Sequence, residues 1–124
     1  MPTALDDTAA ALLTFAMSLP GATEDFPWGE RVVKVNKKVF VFLGKVEDTS
    51  GGFGLSVKLP TSGERTLELP FATPTGYGLG KSGWVSLKFA PVDHPDLAAL
   101  RAWVEESYRA IAPKKLVKTL DAGR

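Results

Sequence analysis

Residues 31–43 read RVVKVNKKVFVFL, a stretch dominated by β-branched and aromatic side chains. Two such runs flank the pair Asn36-Lys37, a pattern typical of two antiparallel strands joined by a two-residue turn. Asn tolerates the positive φ that this turn requires, but Lys37 stands where Gly is usual, so the type of turn stays open. The stretch therefore predicts a β-hairpin.

Further strands are predicted on the C-terminal side of the hairpin. Residues 53–59 alternate strictly between apolar and small or charged side chains, which indicates a half-buried strand. Residues 84–89 predict another strand, after a glycine-rich turn at residues 76–83. Residues 64–69 fit either a short helix or an edge strand, since so short a segment does not define a period. The segment that ends at Gly29 is predicted as a loop.

Two helices are predicted near the ends of the chain. Residues 5–19 carry apolar side chains at spacings of three and four. Residues 97–111 carry a regular apolar seam with charged flanks, and either Asp93 or His94 is the expected N-cap. Whether residues 114–120 add a further turn of helix stays open.

These elements together predict a single α+β domain over residues 1–124. An antiparallel sheet of about four to five strands with one apolar face has an obvious packing for two amphipathic helices. We expect the N- and C-terminal helices to pack on that one face of the sheet. The opposite face is expected to remain exposed to solvent.

Composition narrows the classes of function. The 124 residues include no cysteine and one histidine, and the formal net charge is +1. Disulfides and thiol nucleophiles are therefore excluded, and no hydrolase elbow or zinc-binding histidine pair occurs. We expect a protein that is not an enzyme and has no cofactor or metal site. The first residues lack the basic start of a signal peptide, so a cytoplasmic protein without membrane association is expected.

A phosphate-binding loop is the one catalytic motif that residues 76–83 resemble. Gly80-Lys81-Ser82 matches the end of a Walker A sequence. Thr75, however, stands where the first glycine of that motif belongs, and Trp84 continues into a predicted strand rather than a helix. A tight turn is the favoured interpretation.

Two segments resemble a known family. Residues 19–29 read LPGATEDFPWG, residues 76–84 read GYGLGKSGW, and both combine turn formers with large aromatics. With Glu106-Ser107-Tyr108 and Lys114-Lys115 near the C-terminus, they resemble the MmcQ/YjbR family. The resemblance implies a CyaY-like (frataxin-like) sandwich and a DNA-binding protein whose hairpins act as a double wing.

The glycine-rich segment departs from many members of that family, which carry a polar Y-H-x-N-K-x-H-W version. Gly78, Gly80 and Gly83 replace bulkier polar side chains, whereas Tyr77, Lys81 and Trp84 are retained. Iron binding by analogy with frataxins is not favoured, because Asp6 and Asp7 are the only carboxylates before Glu24.

Duplex DNA is the partner that the resemblance and the lysines predict. The candidate phosphate contacts are Lys34, Lys37, Lys38, Lys58, Lys81 and Lys88. Lys34, Lys58 and Lys88 alternate with apolar residues, so we expect them on the solvent-exposed face of the sheet. The plainer interpretation is that strand faces carry lysines for solubility and against edge pairing.

The alternative prediction is a protein-interaction or small-ligand-binding module with an unknown partner. Its candidate site is a groove beside the two signature segments, lined by Phe26, Trp28, Tyr77 and Trp84. The same aromatics would equally serve as core residues. The two hypotheses differ in what they require: one positive surface for DNA, or one concavity for a ligand.

Overall fold

A computed structural model describes residues 4–45, 53–76, 79–90, 93 and 95–123. Two short 3₁₀ turns lie at Pro27–Gly29 and Leu79–Ser82. In chain order, the helices and strands are α1 (Ala4–Met17), β1 (Ala22–Asp25), β2 (Glu30–Val35), β3 (Lys38–Lys45), β4 (Phe53–Lys58), α2 (Gly63–Thr66), β5 (Ala72–Pro74), β6 (Trp84–Phe89), α3 (Leu97–Ile111) and α4 (Lys114–Ala122).

The strands form one antiparallel sheet in the order β1-β2-β3-β4-β6-β5. The predicted α+β class is confirmed, with six strands rather than four or five. The segment predicted as loop contains β1, whose polar sequence Ala22–Asp25 has no apolar alternation. It forms a strand because its backbone pairs along β2, from Ala22 opposite Val35 to Asp25 opposite Val32. The other added strand, β5, is a three-residue edge.

The main core lies between the helices and one face of the sheet, as predicted. Every second residue of β4 and β6 faces it, with Phe53, Leu55 and Val57 paired to Phe89, Leu87 and Val85. The helices cover this face with Leu12 and Ala16 of α1 and with Leu100, Val104 and Tyr108 of α3. We call this side the helix-covered face and the other side the open face.

The hairpin between β2 and β3 turns through two residues of positive φ. Asn36 has φ 52° and Lys37 has φ 68°, the combination that defines a type I′ turn. This turn matches the twist of its strands, which explains why the chain adopts it. Lys37 nevertheless occupies a conformation that is unfavourable for any residue with a Cβ, because that atom comes too close to the following carbonyl oxygen.

A β-bulge in β3 turns two neighbouring side chains to the same face. Val33 pairs with Val41, but Lys34 pairs with Val39, so Phe40 is an extra residue in the ladder. Phe40 and Val41 are therefore both buried in the main core. The Phe40 ring meets the edge of Tyr108 with centroids 5.3 Å apart.

Ser107 of α3 links β3 and β4 beyond the last residues that pair between these two strands. Its hydroxyl is fully buried, accepts a hydrogen bond from the Lys58 amide at 2.8 Å and donates one to the Phe40 carbonyl. Both of these backbone groups would otherwise lack a partner at the end of the β3–β4 pairing. A side chain of α3 thereby joins two strands.

The neighbours of Ser107 have similar structural roles. Glu106 accepts hydrogen bonds from the amides of Thr61 and Ser62, both at 3.0 Å, and from the Ser62 hydroxyl at 2.8 Å. Tyr108 donates its hydroxyl proton to the carbonyl of Pro20 at 2.7 Å. Residues 106–108, which contributed to the family resemblance, thus fasten α3 to three different parts of the domain.

The expected start of α3 is wrong by a few residues. The N-cap is Asp96, whose carboxylate accepts a hydrogen bond from the Ala98 amide at 3.0 Å. Asp93 instead accepts from the Ala90 amide at 2.6 Å and so closes the preceding turn, while His94 lies outside the described residues. Residues 114–120, left open above, belong to the separate helix α4.

Candidate nucleic-acid interface

Three of the six predicted lysines lie on the open face. Lys34 stands between the buried residues Val33 and Val35 of β2, so strand alternation turns it away from the helices. Lys58 and Lys88 alternate in the same way with the buried residues of β4 and β6. Their placement agrees with the sequence-based expectation, and it brings three cations to one surface.

The spacing of these lysines follows from the register. Lys88 pairs with Gly54, four residues along β4 from Lys58, which places the Cα atoms of Lys58 and Lys88 about 14 Å apart. Lys34 and Lys58 lie two strands apart, or about 10 Å, across β3. These separations are comparable with the ~12 Å width of the B-DNA major groove. Lys34 and Lys88 are farther apart, at about 20 Å, because three strand spacings and about five residues along the strands separate them. The three charges are therefore spread along a diagonal of the open face.

The charge of Lys34 is partly offset by a neighbour on the same face. Its ammonium lies 2.7 Å from an exposed carboxylate oxygen of Asp25. The hydrogen bond from Lys34, with one from the Phe26 amide, holds the pKa of Asp25 below its ordinary value. The pair therefore contributes to stability above that ordinary value, and the contribution is lost as the pH falls through the lowered pKa.

The other three lysines surround the open face rather than lying on it. Lys37 is exposed at the tip of the hairpin. Lys38 pairs with Val35 and is therefore directed to the margin of the helix-covered face. Lys81 is exposed in the 3₁₀ turn that precedes β6. The structure thus places Lys34, Lys58 and Lys88 on one face, with Lys37 at the hairpin tip near Lys34.

The open face also carries an apolar cluster that sequence reasoning did not identify. Val32 is fully buried and Trp84 is 8% exposed, yet neither belongs to the core under the helices. The Trp84 ring packs against Phe42 with centroids 5.4 Å apart. The sequence does carry a signal for this cluster, namely consecutive apolar residues such as Val32-Val33. A strand that is buried on only one face should alternate between apolar and polar residues, so two apolar residues in a row indicate burial on both faces.

A trough of about 360 Å³ lies on the open face next to this cluster. Gly44 and Gly54 belong to its floor, and Glu30 and Lys88 stand on its two outer strands. The remaining lining residues are Phe42, Phe53, Leu55, Ser56, Ser86, Leu87 and Phe89. The trough is a concavity, which the ligand-binding hypothesis required, but its position differs from the predicted groove.

Of the four aromatics of the alternative hypothesis, neither Phe26 nor Trp84 lines this trough. Phe26 is 46% exposed and lies under the Arg31 guanidinium, 5.5 Å from its ring centroid. Trp84 is buried against Phe42. The side chain of Trp28 and the whole of Tyr77 fall outside the described residues. The prediction that these aromatics form one groove stays a prediction.

Two further properties concern the part of the chain that the structure describes. Its helices include none with the length and apolar character needed to cross a bilayer. Its Asp and Glu side chains nowhere form a group of three or more that could hold a metal ion.

The fold and the open face define a small α+β domain with a six-stranded antiparallel sheet, covered by helices on one side and carrying lysines on the other. The YjbR family model matches residues 17–110, and the chain belongs to that family. This confirms the resemblance on which the sequence interpretation relied.

A solved structure supports the same relationship. The crystal structure of Deinococcus radiodurans protein DR2400, described as a DUF419 domain, matches this chain with a TM-score of 0.63 and 25% identity. The match covers 87% of this chain and 77% of that protein. No curated protein matches the chain.

Proposed function

We propose that this protein is a non-enzymatic, cytoplasmic domain that binds duplex DNA through its phosphates. The observation that supports this proposal best is the common placement of Lys34, Lys58 and Lys88 on the open face. Contacts with phosphates position a protein on DNA without reading its sequence. We therefore expect weak binding with little preference among sequences.

The hairpin tip provides a second, independent argument. Lys37 has a φ of 68°, where Gly would be favoured, and its side chain is exposed. Unfavourable backbone conformations concentrate at functional positions, because there the side chain is needed despite its cost. An ammonium held at the tip of a protruding hairpin suits contact with a phosphate beside the open face.

The salt dependence follows from the number of lysines that reach phosphates. The net charge of +1 gives little long-range attraction, so binding depends on the local cations. Each neutralised phosphate contributes about −0.9 to the slope of log K against log salt concentration. Three or four lysines therefore predict a slope of about −3 to −4.

The test is fluorescence anisotropy of a labelled random duplex, titrated with protein at about 50 mM and about 200 mM salt. The variant carries Lys34→Ala, Lys58→Ala and Lys88→Ala. Its matched control carries Lys114→Ala, Lys115→Ala and Lys118→Ala, which remove the same charge from exposed positions of α4.

We expect the open-face variant to lose binding and about 3 units of slope, while the α4 variant stays close to the wild type. Equal losses of DNA affinity in the two variants would show that binding depends only on the total charge of the protein and would refute a specific role for the open face. Binding that does not weaken with salt, or no binding at the lower salt, would refute a phosphate-reading surface.

A further inference from the structure

We infer that the hydroxyls of Ser56 and Ser86, together with the ammonium of Lys88, form a binding site for a single phosphodiester group on the open face. We call these three side chains the phosphate seat. The inference rests on the proposed function, because a phosphodiester is the group that the backbone of duplex DNA would present there. It adds a defined position for one phosphate, held by neutral donors as well as by charge.

The three side chains of the phosphate seat lie close together because of the register between β4 and β6. Ser56 pairs with Ser86 and Gly54 pairs with Lys88, so Ser56 is the diagonal neighbour of Lys88 on the same face. Diagonal neighbours in an antiparallel pair lie about 7–8 Å apart, which is within reach of a long side chain. All three residues line the trough of about 360 Å³. A group bound at this side of the trough would therefore meet all three.

The stem of Lys88 leans from its own strand toward β4. A Cβ built at Gly54 would lie 3.6 Å from Cγ of Lys88, so the stem passes over the place where Gly54 lacks a side chain. From there the ammonium can reach over the two hydroxyls. Lys88 is exposed and forms no ion pair with any side chain that the structure describes. Its charge is therefore available to an anion in the trough.

The hydroxyls of the seat hold one proton that no hydrogen bond among them uses. The oxygens of Ser56 and Ser86 are 2.8 Å apart, and those of Ser86 and Thr75 are 2.9 Å apart. Two hydrogen bonds among three hydroxyls leave one proton over, and either bond can run in either direction. Ser56 or Ser86 can therefore turn this proton toward a ligand in the trough.

These donors match the charge and the oxygens of a phosphodiester. A phosphodiester has one negative charge and two non-bridging oxygens, and the seat offers one ammonium and one free hydroxyl proton. Each oxygen would accept one charge-assisted hydrogen bond. Among the described residues that line the trough, Glu30 has the only carboxylate, and it lies on β2, two strands away from Ser56. The neighbours of the seat on β4 and β6 are uncharged, so an anion meets no repulsion from them.

The first test uses amide proton–nitrogen correlation spectra of the labelled protein, without DNA. The probe is dimethyl phosphate, a phosphodiester. Inorganic phosphate represents a free phosphate, and trimethyl phosphate, the neutral triester, is the matched control. We expect dimethyl phosphate to shift the amides of Ser56, Ser86 and Lys88 saturably, and to bind at least as tightly as inorganic phosphate, because the seat has one cation.

Variants attribute these shifts to the hydroxyls. Ser56→Ala combined with Ser86→Ala should lower the affinity for dimethyl phosphate by at least about tenfold. Thr73→Ala, which removes an exposed hydroxyl directly beside Ser86, should leave that affinity unchanged. Dispersed spectra establish that each variant is folded. Equal shifts by dimethyl and trimethyl phosphate, or tighter binding of inorganic phosphate, would overturn the inference.

The second test repeats the anisotropy assay with duplex DNA and separates the seat from the proposed function. Hydroxyls carry no charge and release no counterions from DNA, so the double serine variant should lose about tenfold in DNA affinity with an unchanged salt slope. Lys34→Met should instead make the slope less negative by about 0.9. DNA binding that the serine variant leaves unaffected would overturn the seat but not the proposed function. Saturable shifts with dimethyl phosphate but no binding of DNA would support the seat and refute the proposed function.

Discussion

Replacing Lys37 by Gly is expected to raise stability and weaken DNA binding at the same time. The φ of Lys37 is 68°, and this region costs an L residue about 1–2 kcal/mol. Gly removes that cost, but the greater conformational entropy of Gly in the unfolded chain offsets about 0.5–1 kcal/mol of the gain. The net change in the free energy of unfolding is therefore a gain of about 0.5–1 kcal/mol, measured by urea unfolding followed by tryptophan fluorescence.

The same substitution removes one exposed ammonium from the hairpin tip. If that ammonium contacts a phosphate, the slope of log K against log salt becomes less negative by about 0.9. Two controls separate the effects: Lys37→Gln removes the charge without relieving the backbone, and Asn36→Gly changes the neighbouring turn residue without changing charge. A Lys37→Gly protein that is less stable than the wild type refutes the backbone argument. Unchanged DNA affinity in both Lys37 variants refutes the charge argument.

Three further substitutions test contacts described above. Ser107→Ala leaves two buried backbone groups without partners and should lower the free energy of unfolding by about 2–4 kcal/mol in urea. Tyr108→Phe should cost about 1 kcal/mol. Burial raises the pKa of Tyr108 above its ordinary value, so wild-type stability should decline as the pH rises past about 10. Thermal unfolding of the Tyr108→Phe variant should not show this decline. Asp25→Asn frees Lys34, so anisotropy should report tighter DNA binding with a steeper salt dependence.

Much of the fold was predictable because its signals are local. The β-branched and aromatic composition of residues 31–43 was enough to predict the hairpin. The alternation of apolar and polar residues over 53–59 showed which side chains would be buried. The strand β1 was missed because its four residues are mostly polar, and only pairing with β2 makes them a strand. The bulge at Phe40 was not predictable either, because it is a property of the register between β2 and β3 and is not visible in the sequence of either strand.

The candidate site was predictable only in part, for the same reason. Alternation along single strands placed Lys34, Lys58 and Lys88 on one face. The trough depends on which strands become neighbours, because Gly44 and Gly54 form a floor only when β3 lies beside β4. A sequence read along one strand at a time does not contain that juxtaposition.

The two edges of the sheet determine how copies of this protein behave when they are crowded together. On one edge, β5 has three residues and ends with Pro74, which has no amide hydrogen to offer a neighbouring strand. On the other edge, β1 has only four residues and carries the charged side chains Glu24 and Asp25, features that disfavour pairing with a further strand. Molecules packed side by side along a duplex would therefore remain separate rather than fuse into a continuous β-ribbon, and the sheet should resist fibrillar aggregation at high concentration.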